Sequence, residues 1–241
     1  MAVASFLFHG ELSQFLVRER RGVRFAYACA RAATLKNAIE ALGVPHTEAG
    51  VVLVNGHPAT LPRIVREGDR IDVHPGPAPE EPLQQTAFVA DAHLGGLARF
   101  LRMLGFDTLH DNRIADEHIR RLAWEEGRIV LTRDRELLKC RDIAVGCYVH
   151  ERKPEAQLRE VAARYGLAAR ASPFTLCLLC NLALKPVPKA AVAARLPPEV
   201  AARHESFMQC AGCERIYWPG SHYARMREAL GRLVEARFEA P

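Results

Sequence analysis

Four cysteines and three aspartates are the residues of this 241-residue chain whose types and spacing can do chemistry. Cys177-Leu-Leu-Cys180 and Cys210-Ala-Gly-Cys213 are separated by 29 residues. A C-x-x-C turn presents two thiolates to one ion. Two such turns complete a tetrahedral shell with no position open for water, which is the pattern of structural zinc. A redox role would instead need a single pair at a helix start. The aspartates are Asp91, Asp116 and Asp134, and each closes a strand-like run or opens a helix-like one. In an open parallel sheet the loops at the carboxyl ends of the strands converge on one crevice, so acids far apart in sequence can meet there. Three carboxylates in one cleft make a site for a hard divalent cation, Mg²⁺ or Mn²⁺, of the kind that phosphodiester hydrolysis uses. Taken singly, each acid has a plainer role: Asp116 as a helix N-cap, Asp91 and Asp134 as solvated loop residues.

Those acids need strands and helices to position them. Phe88-Val89-Ala90 is a short apolar run ending at Asp91. Leu94, Leu97, Ala98, Leu101 and Leu104 follow at the offsets of one helical face, with Arg99 and Arg102 on the other side. Gly105 is placed to end that helix, and Asp107-Thr108-Leu109 starts a second strand. Asp116 precedes Ile119, Leu122 and Ala123, a helix that stops at Gly127. Ile129 to Thr132 is a third strand, and Asp134 sits beyond its end. Ile143 to Val149 reads as a fourth strand, followed by a helix over 155–164 that stops at Gly166. Strands alternating with helices predict a parallel sheet with right-handed crossovers.

The run FVADAHLGGLARFLRMLGFDT, followed by D-E-x-I-x-x-x-A and I-V-L-T-R-D, resembles the ribonuclease family named after the C-terminal domain of the Mut-seven exonuclease, a branch of the PIN-domain nucleases. The likeness continues through the cysteines and covers about two thirds of the chain. It implies a PIN-like parallel-sheet core over 88–170, with Asp91, Asp116 and Asp134 as catalytic metal ligands. It also implies a zinc ribbon with a C-terminal helix over 171–241, and RNA, single-stranded, as the partner. The sequence has no clear counterpart of the helical glutamate that PIN-domain toxins add. Arg215-Ile-Tyr-Trp-Pro-Gly-Ser-His-Tyr matches the characteristic tail of the ribbon. Tyr217 and Trp218 could stack on bases, or Trp218 could pack over the zinc knuckle. Arg99, Arg102 and Arg133 are candidate phosphate contacts beside the acids, with Arg135 near them, though arginine on a helix exterior is ordinarily solvated. His93 could reach metal or RNA, or stand in solvent as a loop histidine.

Residues 1–76 form a separate unit. Strands over 5–8 and 23–27, a helix capped by Thr34, and Val51 to Val54 running into the Asn55-Gly56 turn come before Ile71-Asp72-Val73. The stretch VNGHPATLPRIVREGDRIDVHPG resembles the ubiquitin-like β-grasp sulfur carriers. Those act through a free terminal Gly-Gly, whereas this chain continues through Pro77, so an interaction module that docks a protein partner is the expectation. Residues 77–87 are proline-rich and acidic, a linker.

Net charge is +5, and all the excess is C-terminal: Lys+Arg against Asp+Glu is 9 and 9 over 1–87, 10 and 10 over 88–150, 14 and 9 over 151–241. The surplus suits a phosphate-rich partner but equally an arginine-rich composition. No stretch approaches membrane-spanning length, and MAVASFLFHGEL lacks a basic leader. Seven cysteines, two pairs of them in C-x-x-C, fit thiols and metal in a reducing compartment, the cytoplasm. Cys29, Cys140 and Cys147 read as small buried residues. The rival to a metal-dependent ribonuclease is an RNA-binding or ribosome-associated adaptor with a weakly active core.

Overall fold

A computed structural model of the chain describes residues 1–76 and 86–220; most of the expected linker, the C-terminal helix and His222 lie outside the described residues. The first unit is built on β1 (Ala2–Phe8), whose alternate residues Ala4, Phe6 and Phe8 are buried. It pairs antiparallel with β2 (Phe25–Cys29), and the two are joined by an excursion of two 3₁₀ turns, Gly10–Phe15 and Arg18–Arg20. Helix α1 (Leu35–Ala41) starts at a reciprocal capping box: Thr34 Oγ1 accepts from the Asn37 N–H and the Asn37 side chain accepts from the Thr34 N–H. Strands β3 (Ala49–Val54) and β4 (His57–Ala59) are joined at Asn55-Gly56, with φ of 54° and 82°, as a tight turn between antiparallel strands requires. Strand β5 (Arg70–Pro75) returns parallel to β1, giving the order β2-β1-β5-β3-β4 over α1, the β-grasp arrangement.

The second unit runs β6 (Phe88–Ala90), α2 (Gly95–Met103), β7 (Thr108–Leu109), α3 (Asp116–Glu126), β8 (Ile129–Thr132), α4 (Arg135–Leu138), β9 (Gly146–Tyr148) and α5 (Pro154–Tyr165). Its four strands are all parallel in the order β7-β6-β8-β9. Period-2 geometry splits the core in two. Phe88, Ala90, Ile129 and Leu131 face Leu97, Leu101, Leu158 and Val161 of α2 and α5. Val89 and Val130 face Ile119, Leu122 and Leu137 of α3 and α4. Strands buried on both faces read as continuous apolar runs. Gly127 and Gly166 end α3 and α5 in the left-handed region, where their lack of a Cβ is needed.

The third unit is an antiparallel sheet of β10 (Leu184–Val187), β11 (Phe207–Cys210) and β12 (Ile216–Tyr217). Between β10 and β11 the chain makes α6 (Lys189–Val192) and α7 (Pro198–Arg203). The prolines there cannot extend the ribbon strands and instead open short helices. Among the described residues no helix is long and apolar enough to cross a membrane. Cys29 and Cys147 are buried as expected, and burial pushes the Cys147 thiol up to about 12; Cys140 is only half-buried.

Candidate functional site

The order β7-β6-β8-β9 reverses its direction of travel between β6 and β8, so the crevice beyond these two strand ends is the switch point of the sheet. Asp91 and Asp134 occupy it. Asp91 is 9% exposed; its Oδ1 accepts the Ala92 N–H at 2.6 Å, and its Oδ2 accepts the hydroxyl of buried Thr132 at 2.6 Å. The same Thr132 oxygen accepts the N–H of Asp134 at 2.9 Å. One threonine hydroxyl thus fixes the spacing between the two acid-bearing loops. Asp134 is exposed and caps α4, its Oδ1 accepting the Glu136 N–H at 2.7 Å. Asp116 is the first residue of α3; Ala115 holds the N-cap position, so the carboxylate is not spent as a cap. Among the described residues it has no hydrogen-bond partner and is exposed.

His110, which the sequence reading passed over, follows β7 as Asp91 follows β6. Its Nε2 lies 3.2 Å from the Ala92 carbonyl, joining the end of β7 to the Asp91 loop. The ring rests on Gly95, where a Cβ would stand 2.9 Å from Cε1. Gly95, four residues after the strand-end Asp91, was the available signal.

Among the described residues the only group of three or more Cys, His, Asp or Glu with ligand atoms mutually within 4.8 Å is Cys177, Cys180, Cys210 and Cys213. Asp91, Asp116 and Asp134 do not form such a group. Magnesium commonly keeps several waters and binds through one or two carboxylates plus substrate phosphate.

The arginines are also corrected. Arg102 was expected on the outer face of α2, but it is 5% exposed. Its Nε donates to the Thr108 carbonyl at 2.9 Å, and its Nη1 to the carbonyls of Leu178 and Leu179 at 3.0 and 2.8 Å. It ties α2 to the first cysteine turn and is not free to hold phosphate. Arg133 turns Nη1 to the carbonyls of Val149, His150 and Glu151, bracing the segment after β9. Arg135 lies over the Phe15 ring of the first unit at 5.0 Å. Arg99 is exposed, as is His93.

The cysteine turns repeat one geometry. Each is followed by a left-handed residue, Asn181 (φ 61°) and Glu214 (φ 57°), whose N–H returns to the carbonyl of the first cysteine. Backbone N–H groups of Cys180 and Gly212 point at the sulfurs of Cys177 and Cys210, each at 3.4 Å. Zinc–sulfur bonds of about 2.3 Å in a tetrahedron put sulfurs roughly 3.8 Å apart. Cys177 and Cys213 are 3.6 Å apart, so the donor set fits. Burial would push the Cys177 thiol up, but the Tyr217 hydroxyl, 3.2 Å away, and backbone amides outweigh it and bring it down to about 6. Cys180 is pushed up to about 12 by the neighbouring Cys213 sulfur. Tyr217, not Trp218, packs over the knuckle; Trp218 lies against Val192, Leu196 and Phe207.

The chain is thus a doubly wound parallel core with acids at its switch point, set between a β-grasp unit and a four-cysteine ribbon. Residues 86–230 match the family model described as the Mut7-C RNAse domain, and residues 1–80 match that described as Mut7-C ubiquitin. The chain belongs to the Mut7-C RNAse family, with a ubiquitin-like domain at its N-terminus and a ribonuclease-type core. No curated protein matches it. Among solved structures it is similar to the small archaeal modifier protein 1 of H. volcanii. That match has 21% identity and a TM-score of 0.26, and covers 32% of this chain and 99% of that one.

Proposed function

We propose that the protein is a metal-dependent ribonuclease that hydrolyses RNA phosphodiester bonds at the edge bearing Asp91, Asp116 and Asp134. The observation that carries this is the pair of acids at the switch point, Asp91 and Asp134, held in register by Thr132, in a chain of this family. Mg²⁺ or Mn²⁺ bound there would polarise the phosphate and lower the pKa of an attacking water. Thr132 keeps Asp91 Oδ2 oriented, and Asp134 is fixed by the start of α4. Asp116 offers an unencumbered carboxylate for a water or a proton. Arg99 is the remaining candidate for substrate phosphate. The four cysteines would hold structural zinc. The ubiquitin-like domain would serve protein interaction. Seven free thiols support a reducing compartment, the cytoplasm.

Asp134→Asn tests the assignment, since asparagine caps helices as well as aspartate does and the fold should survive. With labelled single-stranded RNA and Mn²⁺, cleavage should fall at least about a hundredfold, the scale of losing one positioned charged group. Equal cleavage by both proteins would refute the role. The neutral charge balance of residues 88–150 favours the adaptor reading. Tight RNA binding with no metal-dependent cleavage across varied substrates would decide for it.

A further inference from the structure

The outer face of α3 carries a feature that neither the acids nor the zinc explains. Trp124 is 74% exposed, although Ile119 and Leu122 of the same helix are buried. It lines a groove of about 800 Å³ together with Arg121 and Arg141, and the groove begins at Ala115 and Glu117, the neighbours of Asp116. Arg121 precedes Trp124 by three residues, so the two side chains leave the same face of α3. Arg120, also in the groove, is neutralised by an ion pair with Asp142 that ties α3 to the segment after α4. Arg121 and Arg141 are exposed and, among the described residues, make no ion pair or side-chain hydrogen bond. A single exposed apolar side chain is ordinary on a soluble protein. An exposed indole sharing one groove with two unpaired guanidinium groups, beside the start of α3, is an arrangement for stacking a base and holding its phosphates.

We infer that this groove binds single-stranded RNA, with a base stacked on Trp124 and flanking phosphates on Arg121 and Arg141, and feeds it past the start of α3 to the acids. The inference rests on the ribonuclease reading for its destination, but binding is measured without cleavage. The selectivity follows from geometry: a base already stacked inside a duplex cannot present its face to the indole.

The test uses the full chain carrying Asp134→Asn, with no added divalent ion, titrated into a labelled single-stranded oligoribonucleotide and followed by fluorescence anisotropy. Trp124→Ala should weaken binding roughly tenfold, and Trp124→Phe should restore most of it, because the ring face is what stacks. Arg121→Ala and Arg141→Ala should each lower the dependence of log affinity on log salt by about one. The same sequence as a duplex should bind weakly and be indifferent to Trp124→Ala. Unchanged thermal unfolding of the variants controls for folding, since all three side chains are exposed. Single-strand affinity unaltered by Trp124→Ala and by the double arginine variant would overturn the inference and assign this face to a protein partner. Wild-type protein that cleaves RNA while binding ignores Trp124 would sink this proposal alone. Trp124-dependent binding without any cleavage would sink the nuclease reading alone.

Discussion

The parallel sheet has two exposed edges, β7 and β9, and each is covered by a different accessory unit. At β7 the N–H of Thr108 donates to Asn181 Oδ1 at 3.0 Å, from the ribbon. At β9 the N–H of Tyr148 donates to Glu48 Oε1 at 2.8 Å, from the ubiquitin-like domain. Both units therefore use one side-chain acceptor to finish an unpaired edge, which would otherwise invite another strand. They differ in what holds the acceptor. Asn181 stands directly after Cys180 in a left-handed turn, so its place is set by the cysteine knuckle. Glu48 is 1% exposed, and Arg164 of α5 donates to it at 2.5 Å while also reaching the carbonyls of Thr47 and Gly146. His46 adds a contact with the Ile143 carbonyl at 3.1 Å. One edge thus depends on the fold of the four-cysteine knuckle, the other on a buried ion pair.

The largest way to break this pairing is to disrupt the cysteine knuckle. Structural zinc binding is coupled to folding, with apparent energies on the order of 10 kcal/mol or more. Cys177→Ser, or chelation, should unfold the ribbon and strip hydrogen-exchange protection from Thr108 while leaving Tyr148 protected. Equal protection at both edges after chelation would show that the knuckle does not set Asn181, and less than one zinc per chain by elemental analysis would remove the metal from the account. The opposite edge is broken by Glu48→Ala, which leaves Arg164 without its carboxylate and the Tyr148 N–H without an acceptor. Losing one partner of a buried pair costs about 3–5 kcal/mol, read as a lower urea midpoint. The loss should be the same with and without chelator; a loss that disappears on chelation would mean that the two edges are not independent.

The parts of the molecule that were legible in the sequence are those set by local spacing. Phe88-Val89-Ala90 and Ile129 to Thr132 read as strands because both faces are apolar, and Gly127 and Gly166 read as stops because only their φ continues the chain there. The cysteine turns were legible because three residues fix their geometry. What was not legible depends on partners distant in sequence. Arg102 sits next to Leu101 at the margin of the α2 apolar face, and only the carbonyls of Leu178 and Leu179, far along the chain, explain why it is inside. Glu48 and Arg164 carry no local sign of each other. Thr132 read as one more β-branched strand residue, yet its hydroxyl links the two acid loops. Tyr217 ends β12 and Trp218 follows it in extended alternation on the other side, which gave the knuckle to the tyrosine.

The smallest effect sharpens the comparison by pH. Asp107, just before β7, accepts both Nη atoms of Arg128 at 2.9 Å and the amide of Asn181 at 2.5 Å, so the ribbon edge also carries a charge. Burial pushes the Asp107 carboxyl up, but Arg128 and then Asn181 outweigh it and hold it below the usual carboxylate range. A group whose folded pKa is depressed adds stability above its unfolded value, about 3.9 for aspartate, and loses it as pH falls through the folded value. Asp107→Asn should therefore cost little at pH 7, where Asp107 is half-exposed and Arg128 keeps Glu126 as a partner. It should also flatten the fall in unfolding midpoint below about pH 4. Asp69 and Asp72 of the first unit are likewise held low, Asp69 chiefly by its hydrogen bond from Arg63, and they remain in the variant. The difference between the two acid titrations isolates the ribbon edge, and superimposable curves for wild type and Asp107→Asn would remove its charge from the comparison.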